Sequence, residues 1–256
     1  MIRFGPAGIG PVKEIEETFS EYRKLGIRAT EIPFTYGIFI KKQEDMKSVK
    51  KASEKFDIKI TIHAPYWINL NSKEKLKIRQ SKERILKCCE IGDKLGAKKV
   101  VFHAGYYSGM SQEETYENIK NSVLDMQEVI KKNNWKIKLA PETMGKINVF
   151  GSIDQIANLV RDTRCSFCLD FAHILARDKK IDYKKIKKLF PEKQWHCHFS
   201  GIVYGEKGER RHIKTSSKNW KNLLENMPKN KEITIINESP DPIGDSVLGF
   251  KLSKRH

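Results

Sequence analysis

Short apolar runs alternate along this chain with longer stretches whose apolar residues recur every three or four positions. The runs read as strands at 2–5, 29–33, 58–63, 98–103, 136–142, 165–170, 194–199 and 232–238. Between most of them lie helix-like stretches at 13–25, 43–56, 73–95, 111–132, 152–161, 179–189 and 217–226. "ERILKCCEIGDKLG" shows the helical apolar spacing and stops on a glycine. Ser111, with Glu114 three residues on, predicts a capping box, and Ser152 predicts a second N-cap. "KITIH" (59–63) alternates Ile60 and Ile62 with Lys59 and Thr61, then closes on His63.

Eight strands alternating with about seven helices, without linker or low-complexity sequence, predict one α/β domain over residues 1–256, a (β/α)8 TIM barrel. The last helix is expected to be short or missing, because the chain ends soon after the eighth strand. A doubly wound nucleotide-binding sheet is the poorer fit, since the glycines of "FGPAGIGP" do not match G-x-G-x-x-G and read as turn residues.

In such a barrel the chemistry sits at the C-terminal ends of the strands. Strand three ends at His63, strand four at His103 and strand five at Glu142. Strand six ends at Asp170, with His173 just beyond, strand seven at His198 and strand eight at Glu238. A single strand-end histidine or aspartate is ordinarily a backbone cap. Six in succession on one face exceed that explanation. Crowded carboxylates and imidazoles are costly to bury unless cations or hydrogen bonds satisfy them. Nitrogen and carboxylate donors without thiolates predict an open catalytic site for Zn2+ or Mn2+. His196, two residues before His198, is expected one layer deeper in a core or supporting role. His256, the last residue, is expected to be disordered. His212, in "GEKGERRHIKTS", is placed on a loop after strand seven, either over the site or solvated.

Charge adds a partner class. Of the 256 residues, 49 are Lys or Arg and 32 are Asp or Glu, a formal net charge of +17. Polyanion binding accounts for such an excess, although solvated lysine-rich helices such as "KKIKKLF" account for part of it. No apolar run approaches the about 20 residues of a membrane span, and the N-terminus lacks a signal-peptide pattern. A cytoplasmic protein with no membrane association is expected. The five cysteines, an odd number, read as reduced, buried thiols. "CSFC" (165–168) has the spacing of a zinc knuckle, but no second pair accompanies it.

Seven stretches, in order, resemble the endonuclease IV family, the zinc-dependent apurinic/apyrimidinic endonucleases: "HAPYWINL" (63–70), "FHAG" (102–105), "PETMGK" (141–146), "LDFAH" (169–173), "HFSG" (198–201), "RRH" (210–212) and "NESP" (237–240). The resemblance implies a TIM barrel carrying three zinc ions. His63 and His103 would hold the first, and Glu142, the catalytic carboxylate, would bridge it to the second. Asp170, His198 and Glu238 would complete the second site, and His173 and His212 would bind the third. Tyr66 would press against the damaged strand. The implied reaction is hydrolysis of double-stranded DNA 5′ to an abasic site in base-excision repair, leaving a 3′-hydroxyl and a 5′-deoxyribose phosphate.

Two departures from the family stand out. Where the family supplies an Asp-x-His pair to the third zinc, this chain reads Arg210-Arg211-His212. An arginine cannot ligate zinc, so the third metal is expected to be weak, differently held or absent. Glu209 is a substitute only if the loop bends, and Arg210 is a candidate phosphate contact. Secondly, the loop after strand two, "IPFTYGIF", lacks the family's basic and amide-rich character. Phe34 and Tyr36 are candidate wedges there, with packing as the ordinary alternative.

Sugar isomerases and epimerases of the xylose-isomerase-like group resemble the chain in the quartet Glu142, Asp170, His198 and Glu238, which there holds one Mn2+ or similar ion. His63, His103, His173 and His212 are superfluous to such a site and favour the nuclease. A non-catalytic nucleic-acid-binding barrel, with Arg210 marking a lost site, is the third and weakest reading.

Overall fold

The computed structural model describes residues 1–254, so the expectation for His256 lies outside the described residues. The apolar runs become β1 (Ile2–Pro6), β2 (Ala29–Pro33), β3 (Lys59–His63), β4 (Lys99–Phe102), β5 (Lys138–Pro141), β6 (Leu169–Asp170), β7 (Gln194–Phe199) and β10 (Glu232–Asn237). β8 (Gly201–Gly205) and β9 (Gly208–Ile213) form a separate antiparallel hairpin. The helices are α1 (Ile15–Leu25), α2 (Gln43–Phe56), α3 (Lys75–Leu95), α4 (Gln112–Lys132), α5 (Ile153–Thr163), α6 (Phe171–Asp178), α7 (Tyr183–Leu189), α8 (Ser217–Asn226) and α9 (Pro242–Ser253).

Two parallel sheets, in the orders β1-β10-β7-β6 and β2-β3-β4-β5, make up the TIM barrel. Isolated parallel bridges join them at two seams, Ala7 to Glu31 and Glu142 to Cys168. At the first seam the backbones approach so closely that a Cβ on Gly5 would fall 1.7 Å from the Ala29 carbonyl oxygen. Because all eight barrel strands are parallel, their C-terminal ends emerge on one face. Ile62, Val100, Leu139, Leu169 and Ile235 bury their side chains in the large core cluster beneath and around that face.

Capping follows the local sequence. Ser111 accepts from Glu114 N, and Ser152 forms a full capping box with Gln155. α3 stops at Gly96, whose φ of 76° is cheap only for glycine. Four sequence expectations are corrected. The last helix is neither missing nor short: α9 runs twelve residues, opened by the Asp241 cap and by Pro242. The helix expected at 179–189 forms only over Tyr183–Leu189 as α7, and an unexpected helix, α6, precedes it and ends where Lys179 enters the left-handed region. Asp170 caps α6 so promptly that β6 shrinks to two residues. Finally, His212 lies not on a loop but on strand β9.

All five cysteines are free and buried, as expected. Burial pushes the Cys88 and Cys197 thiols up to about 12, so they are inert at neutral pH. Among the described residues, no helix is long and apolar enough to cross a membrane.

Candidate metal centre

Each strand end delivers its polar residue to the same face. His63 closes β3, Asp170 closes β6, and His198 lies next to the end of β7. His103, Glu142 and Glu238 directly follow β4, β5 and β10. Parallel register levels them: His198 is paired with Asp170 on one side and with Ile236 on the other. His173 joins from the first turn of α6.

These side chains converge on Glu142, which is buried. Its Oε2 lies 3.3 Å from His63 Nε2 and 3.1 Å from His103 Nε2. Its Oε1 lies 3.2 Å from both His198 Nδ1 and His173 Nδ1. Glu238 Oε1 is 3.4 Å from His198 Nδ1. At the mouth the donor atoms form three overlapping groups, each with all members within 4.8 Å: His63, His103 and Glu142; Glu142, Asp170, His198 and Glu238; Asp170, His173 and His212; a fourth, Cys168, His196 and His198, lies fully buried.

The hydrogen bonds behind the site show which atoms are presented. His63 Nδ1 lies 2.8 Å from the Ala64 carbonyl and donates there, so Nε2 is the nitrogen turned to Glu142, and the one a metal would take in place of a proton. His173 Nδ1 donates likewise to the Thr143 carbonyl at 3.0 Å. Ser200 Oγ donates to the Gly201 carbonyl, which leaves it to accept from His212 Nδ1 at 2.8 Å. Asp170 divides its work. Oδ1 caps α6 by accepting from His173 N at 2.7 Å, whereas the buried Oδ2 has no hydrogen-bond partner. The helix-cap role therefore occupies one oxygen and leaves the other available.

The electrostatics are those of a site built for cations. Burial penalises the His63 imidazolium, but its contact with Glu142 outweighs that and raises its pKa to about 9. Burial opposes ionisation of Glu142 too, yet His198 and His103 hold it well below the usual carboxylate range. Without metal, protons must bridge these carboxylates and imidazoles. A divalent ion accomplishes the same with no need for imidazolium, and it gives the orphaned Asp170 Oδ2 a partner. The donor set fits zinc or another borderline divalent metal.

A residue that sequence reading passed over supports this set from below. Glu31, buried in β2, places Oε1 2.8 Å from His198 Nε2 and Oε2 3.0 Å from His196 Nε2. Thr61 Oγ1 donates to Oε2 at 2.7 Å. His196 is thus a buried supporting residue, as expected, and burial lowers its pKa to about 4, keeping it neutral. The signal for Glu31 was available: one acid inside the apolar strand "ATEIP".

Around the mouth, a cleft of about 320 Å3 is lined by His63, Tyr66, His103, Tyr106, Glu209 and Glu238, among others. Tyr66 is 47% exposed, with its ring 5.7 Å from that of His103. Of the two candidate wedges, Phe34 is fully buried, whereas Tyr36 is 83% exposed and edge-on to Tyr66. Arg210 is exposed on β9 and does not join the histidine–carboxylate cluster.

Fold and site together define a parallel α/β barrel with a histidine- and carboxylate-rich centre at its C-terminal mouth. The chain belongs to the family described as xylose isomerase-like TIM barrel, whose family model matches residues 19–252. An uncharacterised protein of Methanocaldococcus jannaschii is 35% identical, over 98% of this chain and 96% of its own length. A probable endonuclease 4 of Aquifex aeolicus is 27% identical over 57% of this chain, and the match spans about half of that relative (50%). Among solved structures, endonuclease IV from Thermus thermophilus superposes with a TM-score of 0.74 at 19% identity, covering 99% of this chain and 98% of the other. A 3-keto-D-glucoside 4-epimerase from E. coli gives 0.73 at 12%, covering 100% and 99%. At these identities both structures share the fold and nothing narrower.

Proposed function

We propose that this protein is a metal-dependent endonuclease that cleaves double-stranded DNA on the 5′ side of abasic sites. The observation that carries the reading is the use of both Glu142 oxygens. One faces His63 and His103, the other faces His198, the arrangement of a carboxylate shared by two ions. His63, His103 and Glu142 would hold one zinc ion, and Glu142, Asp170, His198 and Glu238 a second. Zinc in these sites supplies Lewis acidity, which polarises a phosphoryl oxygen and makes water nucleophilic at neutral pH.

The chain's own residues do the rest. Thr61 and Glu31 hold the histidine layer in place from below. Tyr66 and Tyr36 stand at the mouth, where an aromatic face fits against an unpaired sugar and its neighbours. An abasic sugar has no base to unstack, so bringing it to this cleft costs less than flipping an intact nucleotide. The exposed Arg210 meets backbone phosphate, and the net charge of +17 favours the polyanion.

The test is incision of an abasic duplex by protein purified without added metal, with metal content measured on the same sample. Two or more zinc ions per chain with 5′ incision bear the reading out. A single ion, no incision and turnover of a ketose would replace it with an epimerase. The quartet Glu142, Asp170, His198 and Glu238, which by itself suffices for one ion, favours that second reading.

A further inference from the structure

A β-bulge in the hairpin after β7 does what the residue order forbids. Along a regular strand, residues three apart point to opposite faces. Glu209 and His212 are three apart in β9. Yet Tyr204 is paired with Glu209 and Ile202 with His212, with a register shift between Val203 and Tyr204. Cross-strand partners share a face, and Ile202 and Tyr204, two apart, share theirs. Glu209 and His212 therefore face the same way, and Arg210 takes up the extra position of the bulge. Burial agrees: Glu209 and His212 are half-buried, whereas Arg210 and Arg211 are exposed.

The Glu209 carboxylate then meets two imidazoles. Oε2 lies 3.3 Å from His173 Nε2, and Oε1 lies 3.8 Å from His212 Nε2. Both rings have Nδ1 engaged, with Thr143 O and Ser200 Oγ, so each turns its Nε2 toward the carboxylate across a small gap, the nitrogen a metal would take in place of a proton. Two ligands about 2.0–2.1 Å from one tetrahedral zinc lie about 3.3 Å apart. Asp170, whose Oδ2 is orphaned, also brings a carboxylate oxygen within 4.8 Å of donor atoms of His173 and His212.

The approach is built into the backbone. Glu209 N donates to the Gly145 carbonyl at 3.1 Å, and Lys146 bridges to Gly208. A Cβ on Gly145 would fall 2.8 Å from Glu209 Cβ and 3.1 Å from His173 Cδ2. Only glycine there lets the hairpin tip reach the site.

We propose that Glu209, carried into place by this bulge, is a ligand of a third metal ion shared with His173 and His212, so that a Glu-x-x-His segment on a bulged strand does the work of a Glu-x-His pair on a regular one. The inference rests on the multi-metal reading of the site.

The test is zinc stoichiometry of apo-protein reloaded with Zn2+ alone and freed of excess, by plasma mass spectrometry, in wild type, Glu209→Gln and Glu209→Asp. Three ions in wild type and two in Glu209→Gln are expected, the two retained ions reporting an intact barrel. Glu209→Asp keeps the charge on a shorter arm and should retain the third ion only in part, between wild type and Glu209→Gln. A Co2+-loaded series should lose one component of its visible absorption in Glu209→Gln. Two ions in every protein would overturn the role of Glu209 and leave the two-metal centre standing. Three ions in Glu209→Gln would overturn it as well. Fewer than two in wild type would remove this inference together with the reading beneath it.

Discussion

Glu31 Oε1 lies 2.8 Å from His198 Nε2, on the side of the ring away from Glu142 and Glu238. The imidazole is therefore held between carboxylates, with Nδ1 toward the cluster. Glu31 Oε1 and His198 Nε2 are close without being aligned for a hydrogen bond, so Glu31 acts as a negative charge behind the imidazole, which raises its basicity. Glu31→Gln should therefore weaken zinc binding about 10- to 100-fold without unfolding the barrel. Competition with a fluorescent chelator measures this. Unchanged affinity would leave Glu31 with a packing role only.

Glu142 is the residue on which the groups converge. Glu142→Gln keeps the volume and removes the charge that two cations would share. Nicking of an abasic duplex should fall on the order of 10³-fold, with metal content reduced in the same preparation. Retained nicking at full metal content would remove Glu142 from the centre.

Binding to DNA should be steeply salt-dependent. Arg210 and Arg211 are exposed on β9. If each meets one phosphate, Arg210→Ala and Arg211→Ala should each reduce the slope of log K against log salt by about 1. Fluorescence anisotropy with a labelled abasic duplex reads the slope. An unchanged slope in both would place the duplex elsewhere.

The opposite end of the barrel predicts a pH effect. Lys99 shares a cavity with Lys59, Lys98, Lys136 and Lys138. Burial lowers its pKa to about 8, below the about 10.4 of a free lysine. Between these values the folded protein binds fewer protons than the unfolded chain, so this group makes stability rise with pH across that window. Below it, the charged ammonium is a constant penalty. Lys99→Met should raise Tm at pH 7 by about 2–4 °C, and the advantage should shrink as pH rises past 8. Thermal scans from pH 7 to 10.5 provide the check, and a gain independent of pH would point to packing.

The candidate site was legible in unequal parts. His63, His103, Glu142, Asp170, His198 and Glu238 were readable because each stands where an apolar run stops, and a barrel sends all such stops to one face. Asp170 illustrates why a single residue decides little: as an N-cap it needs only Oδ1, and the fate of Oδ2 appears in no pattern. Glu31 stood out only as an acid inside an apolar strand, two residues short of its end, so the strand-end pattern did not include it. Whether it supports the site or strains the core depends on His198 and His196, more than 160 positions later in the chain.

Periodicity and strand-end chemistry alone determined the barrel, the face that carries the centre and most of its donors, because side-chain direction along a strand or helix is a local property of the backbone. The length of β6, the presence of α6 ahead of α7, the twelve residues of α9 and the reach of Glu209 were decided by tertiary structure. A cap or a bulge changes where a side chain points by one position, and that choice is made by the partner strand or by a close approach such as Gly145 to Gly208. In β9 the sequence order places Arg210 two positions before His212. The bulge turned Glu209 inward instead.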